Sequence, residues 1–189
     1  SMGGLEEIES PYLSIFKLDV RYEKDVRAFV SSIDCDVDIL INNAGVPDGR
    51  WQSISEIDMK HAMEVIEVNS IAPVLITQKF EEKLKPGSKI VMMSSLMGSI
   101  SDCMSGRSYA YRASKTALNM FSIAMKKEAL EDNISFLILH PGWVKTRMGG
   151  EHAPVELDES VDGMLNLIDN HTLEDSGRFV QYDGVDLPW

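Results

Sequence analysis

Val37-Asp38-Ile39-Leu40-Ile41-Asn42-Asn43-Ala44-Gly45 is the stretch that decides the fold. Val37 to Ile41 is short and apolar but for Asp38, the pattern of a strand buried on both faces. Asn42 to Gly45 then break it with turn residues. The same unit recurs downstream: Lys89 to Met93 runs into Ser94-Ser95, and Ile134 to Leu139 into His140-Pro141-Gly142. Helical patterns lie between the strands, at about Tyr22–Ile33, Asp58–Leu84, Tyr109–Leu130 and Glu159–Ile168. The second of these should kink at Pro73 and stop at Pro86-Gly87. A loop passes through Pro47, Gly49 and Trp51. Leu13–Leu18 reads as a strand closed by Asp19, and Arg178–Gln181 as a last one. Strands alternating with helices predict an α/β fold with a parallel sheet, in a single domain over residues 1–189.

The composition removes several function classes. At 189 residues, with 44% hydrophobic and 25% charged side chains, the chain can bury a real core. Its formal net charge of −12 argues against nucleic acid, whose backbone demands clustered lysine and arginine. A small neutral or weakly polar ligand remains allowed. Cys35 and Cys103 are too few for a disulfide framework and suit a cytoplasmic protein. His61, His140, His152 and His171 form no His-Glu-x-x-His pair, so no metal site is expected. No apolar run approaches the roughly 20 residues of a membrane span, and the start lacks a signal-peptide core. Ser1-Met2-Gly3-Gly4 carries no structural weight.

An open parallel sheet binds ligands beyond the carboxyl ends of its strands. Asp19, Asn42 to Gly45, Ser94-Ser95 and Pro141-Gly142 all stand at such ends. Tyr111 and Lys115, in Tyr-Arg-Ala-Ser-Lys, share one helix face. An ammonium beside a phenol favours the phenolate and lowers its pKa from about 10, which would make Tyr111 a usable acid near neutrality. Each candidate also has a plainer reading. Asp19 would cap the next helix, Gly45 would serve a tight turn, and Thr146 a turn after Lys145. Asn69 in mid-helix would be a solvated or core-bridging amide. The eleven methionines are gap-filling core, with those near Met148 at a ligand mouth. Sequence physics does not separate Ser94 from Ser95. Tyr109 is a decoy, because its neighbour one turn on is Ala113.

Asn42-Asn43-Ala44-Gly45, Met93-Ser94-Ser95, Tyr109-Ala110-Tyr111-Arg112-Ala113-Ser114-Lys115 and His140-Pro141-Gly142-Trp143-Val144-Lys145-Thr146 occur here in one order and spacing. On these motifs, from about Leu5 to Trp189, the chain resembles the short-chain dehydrogenase/reductases. It is similar above all to their carbonyl-reductase-like branch, which includes the sniffer and C-factor proteins. The resemblance implies a Rossmann-like doubly wound sheet and a catalytic tetrad of Asn69, Ser95, Tyr111 and Lys115. Tyr111 would protonate the developing alkoxide, Ser95 would hydrogen-bond the same oxygen, Lys115 would bind ribose hydroxyls, and Asn69 would hold a relay water. Asp19, Asn43, Ala44, Gly45, Val144 and Thr146, with Tyr111 and Lys115, are implied to contact the cofactor, NADP or NAD. Asp19 would lie against the adenine and Thr146 against the nicotinamide amide. The implied substrate is a small carbonyl compound or alcohol, and a homo-oligomer through the two long helices is allowed. Tyr182-Asp183-Gly184 to Pro188-Trp189 is similar to that branch's ending, so the C-terminus is expected to be complete.

One part of the family pattern is missing. The family begins with a strand, a Thr-Gly-x-x-x-Gly-x-Gly turn and a helix whose N-terminus holds the cofactor pyrophosphate. No such glycine triplet exists here, so the first two strands are expected to be absent and cofactor binding impaired or lost. The missing strands belong between Leu13–Leu18 and Val37–Ile41, which leaves an apolar sheet edge open. Leu13–Leu18 would pair with Val37–Ile41, another chain would cover the edge, or the shortened form would fold differently there. The alternative function is a non-catalytic binding or assembly module on the same scaffold.

Overall fold

The computed structural model describes residues 8–49 and 53–189. Ser1–Gly4, Leu5 and Trp51 lie outside them. Four parallel strands form one sheet in chain order: β1 (Val37–Asn42), β2 (Leu84–Met93), β3 (Ser135–His140) and β4 (Arg178–Gln181). Helix α1 (Glu23–Ser31) precedes β1, and the helices between the strands are α2 (Met59–Ile66), α3 (Ala72–Phe80), α4 (Tyr109–Ala129) and α5 (Leu157–Asn170). The result is a Rossmann-like α/β layering, with four strands among the described residues. Among the described residues no helix is long and apolar enough to cross a membrane.

Strand periodicity sorts the two faces of the sheet. Leu40, Ile90, Met92, Phe136 and Ile138 join Val26 and Val30 of α1, Phe80 of α3 and Leu118 of α4 in the larger core. Their alternating neighbours Val91, Leu137, Leu139 and Val180 meet Met164, Leu167 and Ile168 of α5 on the other face. β3, central and covered on both faces, is buried at all six positions. β1 is not buried on both faces as its sequence suggests: Ile39 and Ile41 are 41% and 46% exposed. The reason is positional. α5 covers β2 to β4 only, and among the described residues no strand pairs with the outer side of β1.

The strand expected at Leu13–Leu18 does not form, so it does not pair with β1. A strand needs a partner ladder. This segment instead docks by its side chains, with Phe16 edge-to-face on Phe29 at 5.1 Å and Leu18 packed on the larger core. An apolar groove of about 380 Å³ runs along the open edge between Leu18, Phe29, Ile41 and Ile76.

The long helix expected from Asp58 to Leu84 is divided. Pro73 has no N–H to give the Asn69 carbonyl, and the chain widens into a π turn over Glu67–Ile71 just before it. Pro86-Gly87 does not stop this helix. α3 ends at Phe80, a tight 3-10 turn follows, and β2 has begun by Leu84. Gly87 sits inside β2 at φ 95°, where the register against β1 slips. The Ser88 hydroxyl patches that slip, donating to the Val37 carbonyl at 2.7 Å and accepting from Lys85 N–H at 3.0 Å.

Candidate active site

β1 and β2 end beside the first turns of α4, and the π turn approaches the same place. Lys115, on α4, is 5% exposed. Its Nζ donates to the Met93 carbonyl at the end of β2 at 2.7 Å and lies 5.7 Å from the centre of the Tyr111 ring. Burial pulls its pKa down to about 8. Gly98 permits the close approach of this helix, because a Cβ there would stand 2.9 Å from Lys115 Cβ.

Tyr111 is also largely buried, and burial pushes its phenol above the ordinary value. The neighbouring Ser95 hydroxyl works the other way, and the Asp48 carboxylate adds to the rise. The expectation that Lys115 lowers Tyr111 is therefore not met. The ammonium is aimed at Met93 O and sits by the ring, not at the hydroxyl. Geometry does separate the two serines. Ser94 Oγ is buried and donates to Asn119 Oδ1 at 2.6 Å, whereas Ser95 Oγ accepts from Met97 N–H at 3.2 Å and stands beside Tyr111.

Asn69 is fully buried in the π turn. Its Oδ1 accepts from Val46 N–H at 2.8 Å, and its Nδ2 donates to Val46 O at 2.9 Å and to Ser114 Oγ at 3.1 Å. Ser114 Oγ passes the chain on to the Tyr111 carbonyl at 2.7 Å. Both amide hydrogens of Asn69 are thus in use, and the core-bridging role describes its side chain. A Cβ on Gly45 would lie 3.4 Å from Asn69 Oδ1 and 3.8 Å from Lys115 Nζ. Asn69, Ser95, Tyr111, Lys115 and Gly45 therefore occupy one neighbourhood.

The remaining candidates are tied elsewhere or open. Asp19 does not cap α1, whose N-cap is Tyr22. It holds Arg21 through both oxygens at 2.7 and 3.0 Å, and Arg21 reaches on to Glu64 at 3.0 Å. The Arg21 guanidinium keeps the Asp19 carboxyl below its usual range. Asn43 and Ala44 are exposed at the mouth of the edge groove. Val144 is buried and bridged to Val155, and Thr146 Oγ1 accepts from Gly149 N–H at 3.1 Å, the plainer turn role. Sequence reasoning missed Asp48 and Ser114. Ser114 lay inside the Tyr-Arg-Ala-Ser-Lys run and went unassigned, while nothing local marks Asp48.

The residues fit one half of a nicotinamide dinucleotide. Lys115 offers an N–H donor of the kind ribose hydroxyls accept, and the missing side chain at Gly45 leaves room before Lys115 and Asn69. For the phosphates there is no glycine triplet opening a helix.

Known proteins share this chain's sequence pattern and fold. The family model described as short chain dehydrogenase matches residues 4–156. C-signal of Myxococcus xanthus is 38% identical over 167 residues, covering 87% of this chain and the whole of that protein. The NADPH-bound carbonyl reductase from chicken fatty liver superposes with a TM-score of 0.87 at 35% identity, covering 95% of this chain and 78% of that one. The carbonyl reductase Sniffer of D. melanogaster gives 0.88 at 30% identity, covering 93% and 77%. With a matching family model over most of its length and the tyrosine, lysine and serine gathered at the strand ends, the chain belongs to the short chain dehydrogenases, in their carbonyl-reductase-like branch.

Proposed function

We propose that this chain is an NADP- or NAD-dependent oxidoreductase that reduces a small carbonyl compound, or oxidises the corresponding alcohol, with Tyr111 as its acid. The buried grouping of Tyr111, Ser95 and Lys115 is the observation that supports this most. The nicotinamide, when bound, supplies the hydride. Tyr111, whose raised pKa keeps it protonated at neutral pH, gives its proton to the carbonyl oxygen as charge builds there. Ser95 accepts from Met97 N–H, which leaves its own hydrogen to donate to that oxygen. Lys115, whose ammonium lies by the Tyr111 ring and is bonded to the Met93 carbonyl, would donate to the ribose hydroxyls. Asn69 builds the wall of the site, so a role in holding water falls to its main-chain carbonyl.

Turnover is impaired by a weak hold on the cofactor phosphates. Each lost charge-assisted hydrogen bond there is worth about 1.5–3 kcal/mol, so two losses weaken binding more than about a hundredfold. The expected outcome of calorimetric titration with NADPH and with NADH is no saturation at micromolar concentration. Reduction of a small aldehyde should then appear only at millimolar cofactor. Micromolar saturation would reveal a substitute phosphate site. No turnover at any cofactor concentration, from folded protein, would favour the second reading, a binding or assembly module on the same scaffold. C-signal, 38% identical to this chain, is named for a signal and not for a reaction, which supports this second reading.

A further inference from the structure

Tyr111 is the third residue of α4, and the first-turn amides of a helix have no acceptor within the helix itself. Ser108, the N-cap, makes no side-chain cap. It stands, like Arg107 before it, in left-handed backbone, at φ 49° and 76°. The acceptor comes from 63 residues upstream. Asp48, 3% exposed, takes the Tyr111 N–H on its Oδ2 at 3.1 Å.

The loop that carries Asp48 is clamped in turn. Both main-chain groups of Val46 are bonded to the Asn69 amide, at 2.8 and 2.9 Å. Asn69 bonds Ser114, and Ser114 bonds the Tyr111 carbonyl. The circuit closes on Tyr111 from both sides of its backbone. The charge of Asp48 opposes phenolate formation at Tyr111, so electrostatic tuning toward the phenolate does not explain it. A buried carboxylate is costly unless bonded, and as a charged acceptor it makes a strong bond to the helix's first turn. The hydrogen bond is what it offers.

On the reading of Tyr111 as the acid, we infer that Asp48 is its positioning residue: by accepting the Tyr111 N–H it holds the first turn of α4, and the phenol with it, against Ser95. Amide hydrogen exchange and the NMR signal of isotope-labelled tyrosine test this in the whole chain, with Tyr111→Phe assigning the ring signal. In the parent, the Tyr111 amide should exchange at least about a hundredfold slower than in the unfolded chain. Asp48→Ala should lose that protection and move the ring signal, while Asp48→Asn, which still presents an acceptor oxygen, keeps both. Exchange near the unfolded rate in the parent overturns the inference. So does full protection in Asp48→Ala, or failure of a folded Asp48→Asn to restore it. If Asp48→Ala does not fold, the parent and Asp48→Asn still decide. In the reductase assay Asp48→Ala should lower kcat about 10–100-fold with little change in KM, and Asp48→Asn should largely recover it. Full activity in Tyr111→Phe would remove the acid role and this inference with it. The exchange data would then still report whether the Asp48 bond exists, so the two failures are told apart.

Discussion

Tyr111 and Tyr109 lie in the same turn of α4 but differ in what surrounds their hydroxyls. Tyr111 is mostly buried beside Ser95 and Lys115, while Tyr109 is 39% exposed. Phenylalanine keeps the ring volume at either place, so Tyr111→Phe should lose about 10²–10⁴-fold in kcat with the fold intact, and Tyr109→Phe should not. Steady-state rates on variants shown to be folded by circular dichroism check this. Comparable rates for Tyr111→Phe and the parent would end the argument. A second residue gives a pH signature. His140, at the end of β3, is buried with no partner for Nδ1 among the described residues. Burial lowers its pKa to about 4, against a partial upward pull from Asp183. The unfolded chain takes up this proton near pH 6.5 and the folded chain resists it, so the stability contribution is full above about 6.5 and is lost as pH falls toward 4. It amounts to about 3 kcal/mol at most. His140→Leu should flatten that dependence in urea unfolding at about pH 7 and about pH 4.5. The site was legible in sequence to the extent that its chemistry is local. Tyr111 and Lys115 announce each other at one helical turn. Asp48 was invisible because its bond spans 63 residues, and apart from the family resemblance Ser94 and Ser95 stood level until Ser94 was seen to donate to Asn119.

At the scale of elements, the contact between α4 and the turn after β2 is the tightest in the site. A methyl group on Gly98 would meet the Lys115 backbone carbon and Cβ at 2.9 Å, and the Gly98 carbonyl accepts from Thr116 Oγ1 at 2.9 Å. Neither partner can retreat, since both belong to the middle of α4. Gly98→Ala should therefore cost about 1–3 kcal/mol by overpacking, read as a lowered Tm. An unchanged Tm would mean that α4 is freer to slide than its packing indicates. β2, β3, β4 and α4 were readable because each carries its own periodicity. Leu13–Leu18 carries an equally apolar pattern and still forms no strand, because a strand is a property of a pair. The division of the long helix was half legible: Pro73 gave the place of the disturbance, but not that it would take the form of a π turn. Pro86-Gly87 misled for a related reason, being a slip inside β2 and not a helix stop.

For the molecule as a whole, strand order follows chain order, so the sheet has one end at β4 and the other at β1. The β1 end faces solvent with two half-exposed isoleucines. Its approach, however, is acidic: Asp34, Asp36 and Asp38 are all exposed, only Asp38 is drawn to a cation, Lys85 at 2.9 Å, among the described residues, and the chain carries a net charge of −12. Charged residues at a bare strand edge are a defence against edge-to-edge pairing. Such a defence acts through mutual repulsion, and the range of that repulsion shrinks from about 10 Å at 0.1 M salt to about 3 Å at 1 M. Colloidal behaviour should therefore invert the usual salting-in of a globular protein. Light scattering should be lowest in dilute buffer and rise as salt is added, and Asp36→Asn with Asp38→Asn should bring the rise to lower salt. Scattering independent of ionic strength would mean that geometry alone, and not charge, keeps this edge single.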